Sequence, residues 1–289
     1  MKKILITGAT GNVGIETINS LLSIKSDTEI VAGVRNTAKD APHFEKRGIK
    51  CTAFNFEDSS TFAPALHGID VLFLLRPPQI SDVKKTFHPL IEVAKQEKIQ
   101  HVVFLSVQGA GSNSVIPHYK IEKLILESGI NYTFLRPSYF MQNFTTTLKN
   151  DIVKKNLVYL PAGKAKFSIV DLVDVGKVAA KILTQTNQHQ NKAYDLTNQE
   201  LLTFEDMSHQ LSMAMGKNIS YVSPNLISFF IRKKSEGVKP MFILVMIMLH
   251  YLPRFQAAPE ISNAVREITG NDPLTFELFA KRERNTFLT

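Results

Sequence analysis

Apolar and polar positions alternate in blocks along the first half of the chain. Short strand-like runs, most of them apolar, lie at 4–6, 29–34, 50–54, 71–75, 101–105 and 132–135. Between them, at 13–24, 59–66, 83–97 and 117–128, apolar residues recur at the three- and four-residue spacing of amphipathic helices. Continuous apolar strands alternating with such helices predict an α/β fold of Rossmann type, with a doubly wound parallel sheet buried on both faces. Ligands on these sheets bind at the carboxyl ends of the strands, so the informative residues should follow each strand.

Beyond about residue 139 the pattern loosens. A helix is expected around 139–150, short strands near 157–160 and 167–170, a helix to about 184 capped by Asp171, and a strand over 193–196. Thr203-x-x-Asp206 reads as a capping box, with Asp in place of Glu, that opens a helix to about 215. The remainder reads as mostly helical. The expected organisation is a dinucleotide-binding domain over 1–150 and a smaller, mostly helical substrate lobe over 151–289, with the chain crossing between them. The most apolar run, 241–249 (MFILVMIML), is too short for a bilayer span, which needs about 20 residues. It reads first as a buried helix, then as a lid over an apolar substrate or a subunit interface.

Composition narrows the class. At 289 residues, 44% hydrophobic and 21% charged, the chain can bury a sizeable core. The single Cys51 excludes an intramolecular disulfide framework and a Cys-rich metal site, and suits a reducing cytoplasm; no metal is expected. Met1-Lys2-Lys3 followed by apolar residues has the look of a signal peptide, but the run stops at Thr7-Gly8 and reads as the first strand. The net charge of +8 is dispersed, Arg232-Lys233-Lys234 being the one basic triplet, and no zinc-finger or RNA-binding motif accompanies it. A solvated basic surface with a phosphate-binding pocket is therefore favoured over nucleic-acid binding. No membrane partner is expected, and a homodimer is compatible with the sequence.

The first apolar run leads into Thr7-Gly8-Ala9-Thr10-Gly11-Asn12-Val13-Gly14 and then a helix. A strand that turns on glycine into a helix N-terminus is an anion site: backbone amides point at the ligand and the helix dipole favours negative charge. Gly8 permits the tight turn, Gly11 leaves room for a pyrophosphate, and Gly14 lets the helix pack close to the sheet. Thr10, Asn12 and Val13 complete the cofactor turn. The G-x-x-G-x-x-G spacing, worded TGATGxxG, resembles the short-chain dehydrogenase/reductase superfamily.

The remaining cofactor positions follow the other strands. At the end of the second strand, where NAD-selective sites place an acid on the ribose, stands Arg35 with Lys39 behind it, which favours the 2′-phosphate of NADP. The 55–58 segment, including Phe56, lies where the adenine edge is expected; Asp58 there either bonds adenine or caps the next helix. Leu75 and Arg76 follow the fourth strand and should line the middle of the cofactor, with Arg76 holding a phosphate or a substrate anion.

Two catalytic readings stand open. Ser106, Tyr119 and Lys123 form a Ser…Tyr-x-x-x-Lys series similar to the catalytic set of short-chain dehydrogenases. That resemblance implies a tyrosine acid, a lysine that lowers its pKa and holds the nicotinamide ribose, and a serine that steadies the substrate. The stretch from Glu122 through Ser128-Gly129-Ile130-Asn131-Tyr132-Thr133 to Arg136-Pro137 instead resembles the NmrA-like branch. On that register the tyrosine and lysine positions hold Ser114 and His118, and His118-x-x-x-Glu122 matches the pattern of NmrA-like members and of NADPH-dependent quinone oxidoreductases. Histidine offers a proton near neutral pH without a large pKa shift. The second register is preferred.

Arg136-Pro137-Ser138-Tyr139-Phe140-Met141-Gln142-Asn143 resembles the family's RP-x-x-F-M-x-N segment. Pro137 should end its strand and join the cofactor set, while Tyr139, Phe140 and Asn143 should wall the nicotinamide and substrate. The 268–279 tail resembles the C-terminal segment of the same proteins, so the likeness covers nearly the whole chain. It implies NADP(H) bound across the strand ends, and hydride transfer to a small apolar quinone or carbonyl compound between the lobes. A non-catalytic NADP(H)-sensing regulator of the NmrA type and a nucleoside-diphosphate-sugar epimerase or dehydratase are the alternatives.

Overall fold

Seven apolar segments, six from the first half and one from the second, assemble into a parallel sheet in the computed structural model, which describes residues 1–80 and 82–288. In the first half, β1 (Lys2–Ile6), α1 (Asn12–Ser23), β2 (Thr28–Val34), α2 (Thr37–Glu45), β3 (Lys50–Ala53) and α3 (Phe62–Leu66) precede β4 (Val71–Leu75), α4 (Val83–Gln96), β5 (His101–Leu105), α5 (Pro117–Ser128) and β6 (Asn131–Pro137). Next come β7 (Tyr139–Phe140), α6 (Lys149–Lys155), β8 (Leu157–Tyr159), β9 (Phe167–Val170), α7 (Leu172–Thr184), β10 (Lys192–Leu196), β11 (Leu201–Leu202) and α8 (Phe204–Met215). The chain closes with β12 (Ser220–Val222), α9 (Leu226–Ser235), α10 (Pro240–Tyr251), α11 (Ala264–Thr269), α12 (Phe276–Arg282) and α13 (Arg284–Leu288).

The chain divides into two units. The first comprises Met1–Pro137, Leu172–Leu196 and Ala264–Asn271; the second comprises Ser138–Asp171, Thr197–Asn263 and Asp272–Thr289. In the first, the strand order is β10-β6-β5-β4-β1-β2-β3, every pair parallel. The order reverses between β1 and β4, which is where a ligand crevice forms in such sheets. Phe54, Phe62, Phe87, Leu90, Ile121, Ile125 and Phe134 belong to one buried cluster with strand residues of the sheet. Elsewhere α1 packs on α7 so closely that a Cβ on Gly176 would lie 2.7 Å from the Glu16 carbonyl, which only glycine accommodates.

The second unit carries a β11-β9-β7 sheet and a β12-β8 pair, surrounded by helices. Thr203 and Asp206 form the expected capping box at the start of α8. Asp171 stands directly before α7, and its buried carboxylate accepts from Gln142 and Arg282.

Two expectations are corrected. No continuous helix spans 139–150: Tyr139 and Phe140 pair with Ile169 and Val170, a single 3₁₀ turn follows at Met141–Asn143, and α6 begins only at Lys149. The Thr145 and Thr146 hydroxyls both donate to the Gln142 carbonyl, offering the backbone an alternative to a helix. Nor is the 241–249 run a buried helix. In α10 only Ile243, Met246 and His250 are buried, whereas Phe242, Leu244, Met248 and Leu249 are exposed. The helix is apolar all round, and one side alone meets the core.

Candidate active site

The site grows from the junction of β1 and β4. Thr7 Oγ1 donates to the Phe73 carbonyl at 3.0 Å and accepts from the Leu75 amide at 2.9 Å, stitching the two strand ends together. Gly8 then turns through the left-handed region at φ +59°, where a Cβ would sit 3.1 Å from Leu75 Cδ1. A Cβ on Gly14 would lie 2.4 Å from the Gly8 carbonyl oxygen and 2.8 Å from Ala9 Cα. Gly14 therefore lets α1 press on the turn itself; the expected close approach was to the sheet. Gly11 is extended, and a Cβ there would meet only the Gly8 oxygen at 3.3 Å.

α1 starts on Gly11 without a side-chain cap and without an acidic residue in its first turn. Gly8, Thr10, Gly11 and Asn12 are exposed, and Val13 is half-buried. Amides without a side-chain acceptor, at the positive end of a helix, fit a pyrophosphate. Leu75 lies beside Gly8, and Arg76 follows it. Arg76 donates through Nη2 to the Pro78 carbonyl at 3.1 Å, while its buried Nε has no partner among the described residues. An orphaned guanidinium donor, one residue after the Leu75 that packs on the turn, is chemistry suited to an anionic ligand.

Arg35 is exposed just beyond β2, where Asn36 caps α2 by accepting from the Lys39 amide. Asp58 accepts from the Ser60 amide and so caps the 3₁₀ turn that follows. Phe56 is buried, edge-on to Phe54 with ring centres 4.9 Å apart and tilted against Phe87. Pro137 ends β6, and its carbonyl accepts from the Gln108 amide.

At the ends of β5 and β6 a buried cluster forms around Glu122. The Ser106 hydroxyl donates to Glu122 Oε1 at 2.6 Å, and Arg136 donates to both carboxylate oxygens, at 3.0 and 2.6 Å. The Glu122 hydrogen bond raises the Arg136 pKa. α5 turns Ile121, Glu122 and Ile125 inward, so His118, one turn before Glu122, lies half-buried against the Phe104 ring. Burial, followed by the positive charge of Arg76, pulls the His118 pKa to about 4. At neutral pH the imidazole is uncharged, which corrects the expectation of an ordinary histidine pKa.

The other series is not brought together. Lys123 is exposed and pairs with Glu127 at 3.7 Å, while Tyr119 is half-buried and Ser106 is held by Glu122. Sequence reasoning alone does not single out Thr7 or Arg136 and uses Glu122 only to set the register. The i, i+4 spacing of His118 and Glu122 was the available signal for the last.

In the second unit, Tyr139, Phe140 and Asn143 are half-buried. His250 Nδ1 donates to the Met246 carbonyl at 2.6 Å, leaving Nε2 to accept from the Tyr139 hydroxyl at 3.2 Å. Burial raises the Tyr139 pKa against the opposing hydrogen bond from Asn143, and burial lowers that of His250 to about 4. Both rings pack on Phe167 and Phe204.

Comparison with known proteins places this arrangement among relatives. The chain is 29% identical over 288 residues to an NAD(P)H azoreductase of Xenophilus azovorans, covering 98% of this chain and 99% of that protein. It superposes on the triphenylmethane reductase of Citrobacter sp. complexed with NADP(H) at a TM-score of 0.85, with 21% identity, over 97% of this chain and 99% of that one. The NADPH-dependent quinone oxidoreductase QOR2 of Escherichia coli, complexed with NADPH, gives 0.84 at 23% identity over 96% and 99% of the two chains. These two superpositions establish the Rossmann-type fold. The sequence profile of the NmrA-like family matches residues 1–234, a span that includes the glycine turn, the Ser106–Glu122–Arg136 cluster and much of the second unit. The chain belongs to the NmrA-like family.

Proposed function

We propose that this protein is an NADPH-dependent oxidoreductase that reduces a quinone or small carbonyl compound. The observation that carries this reading is the uncapped, acid-free start of α1 at Gly11, taken with the Nε of Arg76, which has no partner among the described residues. Gly8, Thr10, Gly11, Asn12, Val13 and Gly14 would hold the pyrophosphate. Arg35 would take the adenosine 2′-phosphate, and Phe56 the adenine side. Leu75, Arg76, Ser106 and Pro137 would line the remainder of the cofactor.

Bound NADPH supplies a hydride, a two-electron reductant, to the substrate carbon or ring. The chain's own contribution is positioning and polarity. His118, uncharged at neutral pH, can donate one hydrogen bond to a substrate oxygen without carrying the proton, which water then delivers. Ser106, Glu122 and Arg136 hold α5 against the strand ends and so set the position of His118. The relatives fit this reading: they are named as an NAD(P)H azoreductase, a triphenylmethane reductase and an NADPH-dependent quinone oxidoreductase.

The test is NADPH titration followed by NADPH consumption with a panel of quinones and carbonyl compounds. Binding together with turnover supports the proposal. Tight binding with no turnover on any acceptor moves the assignment to a redox-sensing regulator, and tight binding of nucleoside-diphosphate sugars moves it to an epimerase.

A further inference from the structure

The second unit carries an apolar face that its own core leaves uncovered. On α10 the buried positions 243, 246 and 250 fall on one stripe, and the exposed Phe242, Leu244, Val245, Met248 and Leu249 occupy the rest. Phe255, in the turn after α10, is 71% exposed, and Ile227 and Ile231 of α9 are 74% and 63% exposed. A patch of this kind on a soluble chain marks a contact surface.

Charge decides what covers it. Between 224 and 258 Glu236 is the only acidic residue, against Arg232, Lys233, Lys234, Lys239 and Arg254. Glu236 is engaged by Lys155, Arg232 and Lys233. Arg232 and Lys233 are also anchored on the buried Asp151, at 3.1 and 2.6 Å, so the basic triplet is largely structural. Lys234, Lys239 and Arg254 are exposed, with no ion pair among the described residues. Arg254 also lines a surface groove with Lys164 and Lys166 beside the end of α10. The apolar face is thus rimmed by unpaired cations. A symmetric contact with a second copy would set those like charges against each other. An anionic lipid surface instead neutralises them while its acyl boundary takes up the apolar side chains. At twelve residues α10 is too short to cross a bilayer.

We propose that the α9–α10 face docks the protein peripherally on membranes containing anionic lipid, with α10 lying in the interface and Lys234, Lys239 and Arg254 at the headgroups. This does not depend on the proposed redox function. The test is cosedimentation of the full chain with phosphatidylcholine vesicles, with and without a minority of phosphatidylserine. The protein should pellet with the anionic vesicles, stay in solution with phosphatidylcholine alone, and be released by salt. Lys234→Glu with Lys239→Glu should weaken partitioning at least roughly tenfold. Leu244→Ser with Leu249→Ser should abolish it, while circular dichroism and NADPH binding stay unchanged. Wild-type protein that remains in solution with anionic vesicles at low salt would overturn the proposal. So would a wild-type dimer, seen by analytical ultracentrifugation, that the Leu244→Ser, Leu249→Ser pair dissociates, since a second copy would then be the occupant.

Discussion

The Ser106 hydroxyl and the Glu122 carboxylate meet at 2.6 Å in the interior of the first unit, with Arg136 closing the other side of the carboxylate. Removing one member of a buried ion pair leaves the other charge uncompensated. Glu122→Ala should therefore cost about 3–5 kcal/mol of stability, read as a lowered urea midpoint. Ser106→Ala removes one charge-assisted bond and should cost only about 1.5–3 kcal/mol, with turnover nearly unchanged. A large loss of turnover in a stable Ser106→Ala protein would give the Ser106 hydroxyl a part in the reaction itself, beyond lining the cofactor.

The glycine turn separates folding from binding at two positions. At Gly14 a methyl group collides with the Gly8 backbone, so Gly14→Ala should lower the melting temperature. At Gly11 the backbone is extended, which a β-branched residue adopts, and a Cβ there would approach only the Gly8 carbonyl oxygen, at 3.3 Å. Gly11→Val should keep the wild-type melting temperature yet lose NADPH binding. Normal NADPH affinity in a folded Gly11→Val protein would make the segment a structural turn only.

Arg35 stands where an acidic ribose ligand would select NAD. Its removal should cost NADP(H) about tenfold to a hundredfold in affinity and leave NAD(H) nearly unaffected. Titration of both cofactors against wild type and Arg35→Ala checks this, and equal wild-type affinities would refute it.

His118 and Tyr119 are neighbours with different fates in the structure. His118→Ala should lower kcat by about a hundredfold, the low end for losing a hydrogen-bond donor at a reacting oxygen. Tyr119→Phe should be mild. With the His118 pKa near 4, no limb of the kcat profile between pH 6 and 8 should disappear in His118→Ala. Unimpaired turnover in both variants would remove both catalytic readings.

His101, His118 and His250 all have pKa values lowered from 6.5 to about 4 by burial. Unfolded histidines take up protons below about 6.5, whereas these resist until about 4, so the unfolded state binds more protons in that window. Stability should be complete above pH 7 and fall on acidification between those limits. The slope should be about 1.4 kcal/mol per pH unit for each of the buried His101 and His250. Urea midpoints from pH 7.5 to 4.5 measure it, and His250→Gln should flatten the slope.

The sheet was legible because its central strands carry apolar runs, as at 4–6, 71–75 and 102–105, and even β10, late in the chain and interrupted by Asp195, announced itself over 193–196. α2 was not: only Phe44 of its nine residues is buried, Pro42 interrupts the pattern, and its one signal is the Asn36 cap. The glycine turn could be read from spacing, since Gly8 and Gly14 answer local demands, a left-handed turn and a close backbone approach. The partner of Ser106 could not, because the contact spans sixteen residues and depends on which face of α5 turns inward. The same holds for α10, whose run of apolar residues specifies a helix and gives no phase.

The order of synthesis adds one consequence. α7, which packs on the cofactor helix through Gly176, and β10, the strand beside β6, are both made after the ribosome has begun the second unit. Until residue 196 emerges, β6 is an open sheet edge and one side of α1 lacks its cover. The nascent cofactor-binding half therefore waits, incomplete, for sequence encoded later in the message. A ribosome stalled before that point holds a chain open to chaperones and to edge-to-edge association rather than a finished nucleotide-binding domain.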